Sequence, residues 1–185
     1  MVGGVAILWN TNAVLIENFY TTRWSITTEY RLISSNKPGH LTSVYGPANP
    51  RDKQAFLHSL SYLSNLAKYD RWTIGGEFNI IRSLEEKKGG SRQLDQDSSA
   101  FNNLIDDLRL IDLETSNGTH TWTNRRTGLH QIACKLDRFL LSEPLIMNGT
   151  AMDSTILNYP GSDHWTIQLW VDVLATPGKR PFRFE

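Results

Sequence analysis

Hydrophobic and polar positions alternate through the first 45 residues in the manner of short strands. Gly3 to Leu8 is a brief apolar run. Ala13 to Ile16 follows after the polar Asn10-Thr11-Asn12 turn. Trp24 to Ile33 alternates strictly, so Trp24, Ile26, Thr28, Tyr30 and Leu32 share one face of an extended chain. Leu41 to Tyr45 is a further strand, closed by Gly46-Pro47. This pattern predicts a β-meander of half-buried antiparallel strands.

The period then changes. Asn49 can cap a helix, Pro50 suits its first position, and Asp52 sits in its positive first turn. Phe56, Leu60, Leu63 and Ala67 follow at helical spacing and place one apolar face on the core. Trp72 to Gly76 reads as a short buried strand. Arg82 to Gln96 is polar, contains Gly89-Gly90, and reads as an exposed loop. A second helix starts near Asp97 or Ser98, with Phe101, Leu104, Ile105 and Leu108 on one face. Strands are expected over Thr119 to Thr123, Lys135 to Leu141 and Trp165 to Val173, with a short helix and another strand between Ser142 and Tyr159. Strands outnumber helices and no strict βαβ alternation appears. That predicts an α/β layered domain with antiparallel or mixed sheets, and excludes a Rossmann fold or a TIM barrel.

Composition narrows the class. The 185 residues suffice for one domain with its own core. With 39% hydrophobic and 21% charged residues the chain is neither disordered nor membrane-spanning. Lys+Arg and Asp+Glu both number 19, so a globally basic nucleic-acid binder is excluded, but a local basic rim is not. The single cysteine, Cys134, excludes an internal disulfide and a cysteine-based zinc site. Val2 to Leu8 is too short for a signal-peptide core. Two Asn-Gly-Thr sequons, at Asn117 and Asn148, therefore read as turns.

Four stretches put polar residues at the ends of apolar strands, where loops on a rigid scaffold carry sites. They are Val44-Tyr45-Gly46-Pro47, Gly75-Gly76-Glu77-Phe78-Asn79, Leu136-Asp137-Arg138 and Ser162-Asp163-His164. Each has a plain reading and a chemical one. Tyr45 is a half-buried aromatic or a hydroxyl donor. Glu77 and Asn79 form a solvated turn, or a carboxylate and an amide aimed at a ligand that two glycines let come close. Asp137 pairs with Arg138 or orients a histidine. Ser162-Asp163-His164 is not a serine-hydrolase triad, because base and orienter must approach from separate parts of a fold. Gly75-Gly76 does not build a phosphate loop, since neither glycine-rich phosphate motif is present.

The order of these stretches is more specific than any one of them. Together with Glu86-Lys87-Lys88-Gly89-Gly90, His120-Thr121-Trp122-Thr123-Asn124 and Lys135 to Leu140, it resembles the endonuclease/exonuclease/phosphatase superfamily. Within it, the chain is most similar to the apurinic-type endonuclease domain of plant non-LTR (LINE-type) retrotransposons. Pro181 to Glu185 resembles the stretch leading to the reverse transcriptase. The resemblance implies a four-layer αββα sandwich with two mixed or antiparallel sheets over residues 1–176, lacking its first strand, and a linker over 177–185.

It also implies Mg²⁺-dependent hydrolysis of a DNA phosphodiester by water, leaving a 3′-hydroxyl. A hard cation on carboxylate and carbonyl oxygens offsets the developing charge. His164 would contact the phosphate, oriented by Asp137. Asn79 would orient phosphate or water, and Tyr45 would donate to a phosphoryl oxygen. Glu77, Asn79 and Asp163 form the metal side. Thr121 and Trp122 would line the DNA groove, and Arg125, Arg126, His130, Lys135 and Arg138 a basic rim. Between Trp122 and Leu140 four basic residues face one acidic residue, a net charge of +3. DNA is thus the expected partner and the nucleus the implied location, with no membrane and no obligate protein partner.

Two departures imply impaired catalysis. The family has Asp where this chain has Glu77, whose extra methylene moves the carboxylate by about 1 Å and can cost about a hundredfold in rate. The family's Gln-Glu-Thr-Lys segment, whose Glu is a main Mg²⁺ ligand, is not in the sequence. The alternatives are an inactive remnant that binds nucleic acid weakly, or another phosphoesterase of the superfamily.

Overall fold

The computed structural model describes residues 4–66, 71–147, 151–157 and 161–172. Strands β1 (Val14–Thr21), β2 (Ser25–Leu32) and β3 (Pro38–Tyr45) form the antiparallel meander the alternation predicts. Helix α1 (Pro50–Leu66) then carries the chain to β4 (Trp72–Glu77), which pairs parallel with β3. Beyond β5 (Lys87–Lys88), helix α2 (Ser98–Asp107) leads into β6 (Leu110–Leu113). Strands β7 (Trp122–Thr123) and β8 (Ala133–Cys134) join β5 in a small sheet of order β5-β8-β7. Strand β9 (Asp137–Ser142) inserts between β4 and β6, antiparallel to both, giving a six-stranded mixed sheet of order β1-β2-β3-β4-β9-β6. Helix α3 (Glu143–Met147) precedes the hairpin of β10 (Ala151–Leu157) and β11 (Thr166–Asp172), which meets the large sheet where β11 touches β9. The class is therefore α/β, with one mixed and two antiparallel sheets.

The helices start as their sequences dictate. The Asn49 side chain accepts the Arg51 N–H at 3.1 Å, and Pro50 has no N–H to leave unpaired. Asp97 precedes α2 without a side-chain cap bond to it; its carboxylate instead accepts from Gln54 Nε2 of α1 at 2.6 Å, while its carbonyl accepts the Phe101 N–H at 2.9 Å. Phe56, Leu60 and Leu63 of α1 and Phe101, Leu104 and Ile105 of α2 are buried against Ile74 and Leu140 of the sheet. Ala67 lies outside the described residues. Phe78 sits between Phe56 and Phe101, with ring centroids 6.1 and 5.2 Å away. Burying such a side chain stabilises by about 1.5–3 kcal/mol. Here it also anchors the loop that carries Glu77 and Asn79.

Several expectations need correction. In β2, Ser25, Thr27 and Thr28 are buried while Ile26 and Tyr30 are half-buried, so polar residues, not only the apolar face, enter the interior. Hydroxyls are satisfied there: Thr27 Oγ1 meets Thr42 Oγ1 at 2.8 Å, and Trp72 Nε1 donates to Thr42 Oγ1 at 2.8 Å. Trp24 stands on Phe56, 6.1 Å between ring centroids, rather than beside Ile26. Gly4 to Leu8 forms no strand, and Leu8 is 94% exposed, since no described strand lies alongside to pair its backbone. Arg82 to Gln96 holds a 3₁₀ turn over Leu84–Glu86, capped by Ser83, as well as β5. Asn117 does more than turn: its amide exchanges hydrogen bonds with the Ile156 backbone, at 2.8 and 2.7 Å, and so pins β10. Asn148 and the expected boundary at 176/177 lie outside the described residues. No helix among the described residues is long and apolar enough to cross a membrane.

Candidate active site

Sheet register builds the first half of the site. Tyr45 lies opposite Glu77 in the β3–β4 pairing, and Glu77 lies opposite Asp137 in the β4–β9 pairing. Three of the expected residues thus end three adjacent strands at one level. The glycines make this packing possible. A Cβ on Gly46 would strike the Phe78 carbonyl, and one on Gly76, at φ +132°, would strike the Val44 carbonyl. Gly75 faces the Phe139 ring. These glycines therefore admit neighbouring strands rather than a ligand, which corrects the expectation. Asn79 takes a positive φ of 55°, and its Nδ2 donates to the Gly46 carbonyl at 2.9 Å, so the two loops are tied.

The second half arrives with the loop before β11. Thr123 N donates to the Asp163 carbonyl at 3.0 Å, and Trp165 N to the Thr121 carbonyl at 2.7 Å. These bonds hold His164 over the sheet end. Its Nδ1 donates to Asp137 Oδ2 at 2.9 Å, and its Nε2 stands 3.6 Å from Glu77 Oε1. Ligand atoms of Glu77, Asp137 and His164 all lie within 4.8 Å of one another. Asp137 thus pairs with His164 and not with Arg138. The Ser162 hydroxyl accepts the backbone N–H of His164 at 3.1 Å and has no contact with its ring, unlike a triad nucleophile.

Electrostatics follow from this crowding. The hydrogen bond to Asp137 raises the His164 pKa, helped by the charges of Asp137, Glu77 and Asp163 and opposed by burial. Burial raises the Glu77 pKa, with Asp137 and Asp163 adding to it, while His164 and the Asn79 amide oppose. Asp163 is exposed, and its pKa is lowered by the Trp122 indole, whose Nε1 donates at 3.1 Å. Asp163 thus bonds the Trp122 indole and still lies close enough for its charge to act on Glu77 and His164. A raised histidine pKa stabilises the fold fully below the unfolded value near 6.5 and ceases to do so as pH rises through the folded value. Denaturant midpoints measured from pH 6 upward are expected to fall, and His164→Gln is expected to flatten that slope. Equal slopes in both proteins would contradict the assignment.

The groove residues divide. Arg125, Arg126 and His130 are exposed on the loop between β7 and β8, and Arg125 Nη2 reaches the Gly161 carbonyl beside the histidine loop. Thr121 is fully buried, so it lines no groove. Its Oγ1 instead accepts the N–H groups of Leu136 and Asp137 at 3.0 and 2.9 Å. Lys135 and Arg138 leave the rim as well. They are 6% and 1% exposed and hold Asp112, with Lys135 Nζ at 3.1 Å and Arg138 Nη1 at 2.5 Å. Arg138 also grips Glu86 with two bonds of 2.9 and 2.8 Å. Sequence reasoning missed Glu86 and Asp112. The only signal available was a buried arginine's need for carboxylates, and adjacency pointed to Asp137 instead. A cavity of about 530 Å³ opens beside this network, lined by Arg82, Glu86, Asn102 and Lys135 among others. Glu77, Asp137 and His164 lie outside this cavity and are half-buried.

No protein-family model matches the sequence, and no curated protein matches it either. Solved structures do match. The endonuclease domain of TRAS1, a telomere-specific non-LTR retrotransposon, superposes with a TM-score of 0.70 at 16% identity, over 91% of this chain and 73% of that one. An endonuclease/exonuclease/phosphatase family protein from Bacteroides thetaiotaomicron gives 0.60 at 10% identity, over 90% and 68%. D. rerio TDP2 complexed with a single-strand DNA product gives 0.58 at 13% identity, over 84% and 67%. The meander, the parallel β3–β4 step and the inserted β9 therefore make up the fold of the endonuclease/exonuclease/phosphatase proteins.

Proposed function

We propose that the chain is a divalent-metal-dependent phosphodiesterase of the DNA-nicking kind, related to LINE-type endonuclease domains and slowed by Glu77. The observation that carries this reading is the convergence of Glu77, Asp137 and His164 at one sheet end. Two carboxylates within reach of each other fit a hard cation, which uses one or two protein carboxylates and keeps several waters. Glu77 and Asp137 would hold Mg²⁺, and the bound ion would offset charge on the phosphodiester oxygens, while the Asn79 amide donates to the Glu77 carboxylate. Asp163 bonds the Trp122 indole, shapes the loop and adds its charge beside the cluster.

The protein's own groups divide the remaining work. Asp137 fixes the His164 tautomer, and Nε2, which stands 3.6 Å from Glu77 Oε1, would donate to a phosphoryl oxygen that displaces the glutamate. The exposed Tyr45 hydroxyl is a second donor. Glu77, whose pKa burial raises, would orient the attacking water. Arg125, Arg126 and His130 bind flanking phosphates without reading sequence. That exposed loop also favours a second reading, a DNA-binding module without turnover.

Conversion of supercoiled plasmid to relaxed circle separates the two. Slow nicking that needs Mg²⁺, stops with chelator and disappears in His164→Ala supports the enzyme. Retention of plasmid without nicking, by a folded protein, supports the binding module and rules out the enzyme.

A further inference from the structure

Thr121 is a polar residue with no exposed surface, and its polar atoms meet both chain segments that carry the Asp137–His164 pair. Oγ1 accepts from Asp137 N at 2.9 Å and from the preceding Leu136 N at 3.0 Å. The Thr121 carbonyl accepts from Trp165 N, next to His164, at 2.7 Å, and its own N–H donates to the Cys134 carbonyl at 2.9 Å. The two lone pairs of the hydroxyl match its two donors. Sheet pairing sets Asp137 relative to Glu77, while the histidine loop is tied to β7 by the Trp122–His164 bridge and to the start of β9 through Thr121 beside it. The neighbouring bond from Thr123 N to the Asp163 carbonyl, 3.0 Å, supports the same loop without touching the Asp137 side. Thr121 alone of these residues bonds to both sides.

We propose that Thr121 is a positioning residue that sets the separation of Asp137 and His164 through these bonds. A residue that merely filled the core would be replaceable by valine, which has the same shape. A residue that positions requires the oxygen. Without it, two adjacent buried N–H groups lose their acceptor, and the start of β9 shifts to find another. A displacement near 1 Å at such a pair costs about a hundredfold in rate.

The test compares Thr121→Val with Thr121→Ser. In proton NMR, the hydrogen-bonded His164 Nδ1–H is expected as a far-downfield signal in the wild type and in Thr121→Ser, and to be lost or broadened in Thr121→Val. In plasmid nicking, Thr121→Val is expected to lose about a hundredfold in kcat with KM within about twofold, and Thr121→Ser to stay near wild type. Retention of both signal and rate in folded Thr121→Val would overturn the proposal. Should Thr121→Val not fold, amide exchange in the wild type decides: slow, matched exchange at Leu136, Asp137 and Trp165 supports the clamp, and fast exchange at any of them overturns it. Only the kinetic arm rests on the phosphodiesterase reading. A wild type that shows the downfield signal but never nicks DNA defeats that reading and leaves the clamp standing.

Discussion

Arg138→Met is expected to lower folding stability by about 3–5 kcal/mol, because Glu86 loses its guanidinium partner and Asp112 loses one of three cationic ones. The guanidinium is 1% exposed and lies 5.4 Å from the Phe101 ring centroid. It makes two bonds to Glu86, one to Asp112, and one each to the Ile80 and Lys135 carbonyls. Burial opposes charge on Asp112, yet Arg138 and Lys135 hold its carboxyl below the usual range. Burial likewise opposes charge on Arg138, and the bonds to Glu86 and Asp112 overcome it. Removing the arginine leaves Lys135 and Arg82 to neutralise Asp112, and leaves Glu86 with only the Arg82 backbone N–H. Arg138→Lys is expected to rescue little, since one ammonium cannot reproduce the fork between two carboxylates. Guanidinium denaturation at pH 7 measures the effect, and a loss under about 1 kcal/mol would contradict it. The same network makes the fold acid-sensitive. A depressed Asp112 pKa contributes stability that is present above 3.8 and is lost as pH falls through the folded value.

Glu77→Asp is expected to raise the nicking rate by about ten- to a hundredfold. The glutamate reaches far enough to stand 3.6 Å from His164 Nε2, the nitrogen that has to meet the phosphate. Asp137 already occupies Nδ1 at 2.9 Å. Nδ1 is thus bonded to one carboxylate, and a second carboxylate stands close to Nε2. One methylene less withdraws the carboxylate by about 1 Å and frees Nε2 for a phosphoryl oxygen. Asp is also the residue that the resembled endonucleases carry at this point of the Gly-Gly-acid-Phe-Asn stretch. Rate constants under saturating plasmid measure the change, and a Glu77→Asp protein slower than wild type would refute the overreach.

Much of this was legible in the sequence, for physical reasons. Long elements with a clear period came through: the alternation of β2, the capped start at Asn49-Pro50, and the apolar stripe of α2. Short elements did not. The sequence pattern assigns no strand to Leu110–Leu113, and pairing with β9 makes it β6. Ala133–Cys134 is too short to show any period. Polar residues of β2 enter the interior beside its apolar positions, because buried threonines satisfy one another. In the candidate site, motif order brings Tyr45, Glu77 and Asp137 together because each stands at the end of a strand whose register is fixed, and His164 joins them from the loop before β11. Charge was misleading. Lys135 and Arg138 look like a basic rim beside Arg125 and Arg126, but their carboxylate partners come from distant Asp112 and Glu86. Thr121 looked like a groove residue because it adjoins Trp122, while its hydroxyl points into the backbone of Leu136 and Asp137.

The central claim is that the Glu77-Asp137-His164 cluster hydrolyses phosphodiesters with His164 at the phosphate. It is tested most directly by single-turnover nicking of supercoiled plasmid by Glu77→Asp and by Glu77→Asp/His164→Ala, each with Mg²⁺ and with chelator. The predicted result is Mg²⁺-dependent nicking by Glu77→Asp, faster than wild type, that vanishes in the double variant and in chelator. Nicking of equal rate with and without the histidine, or none from either folded protein, would contradict it.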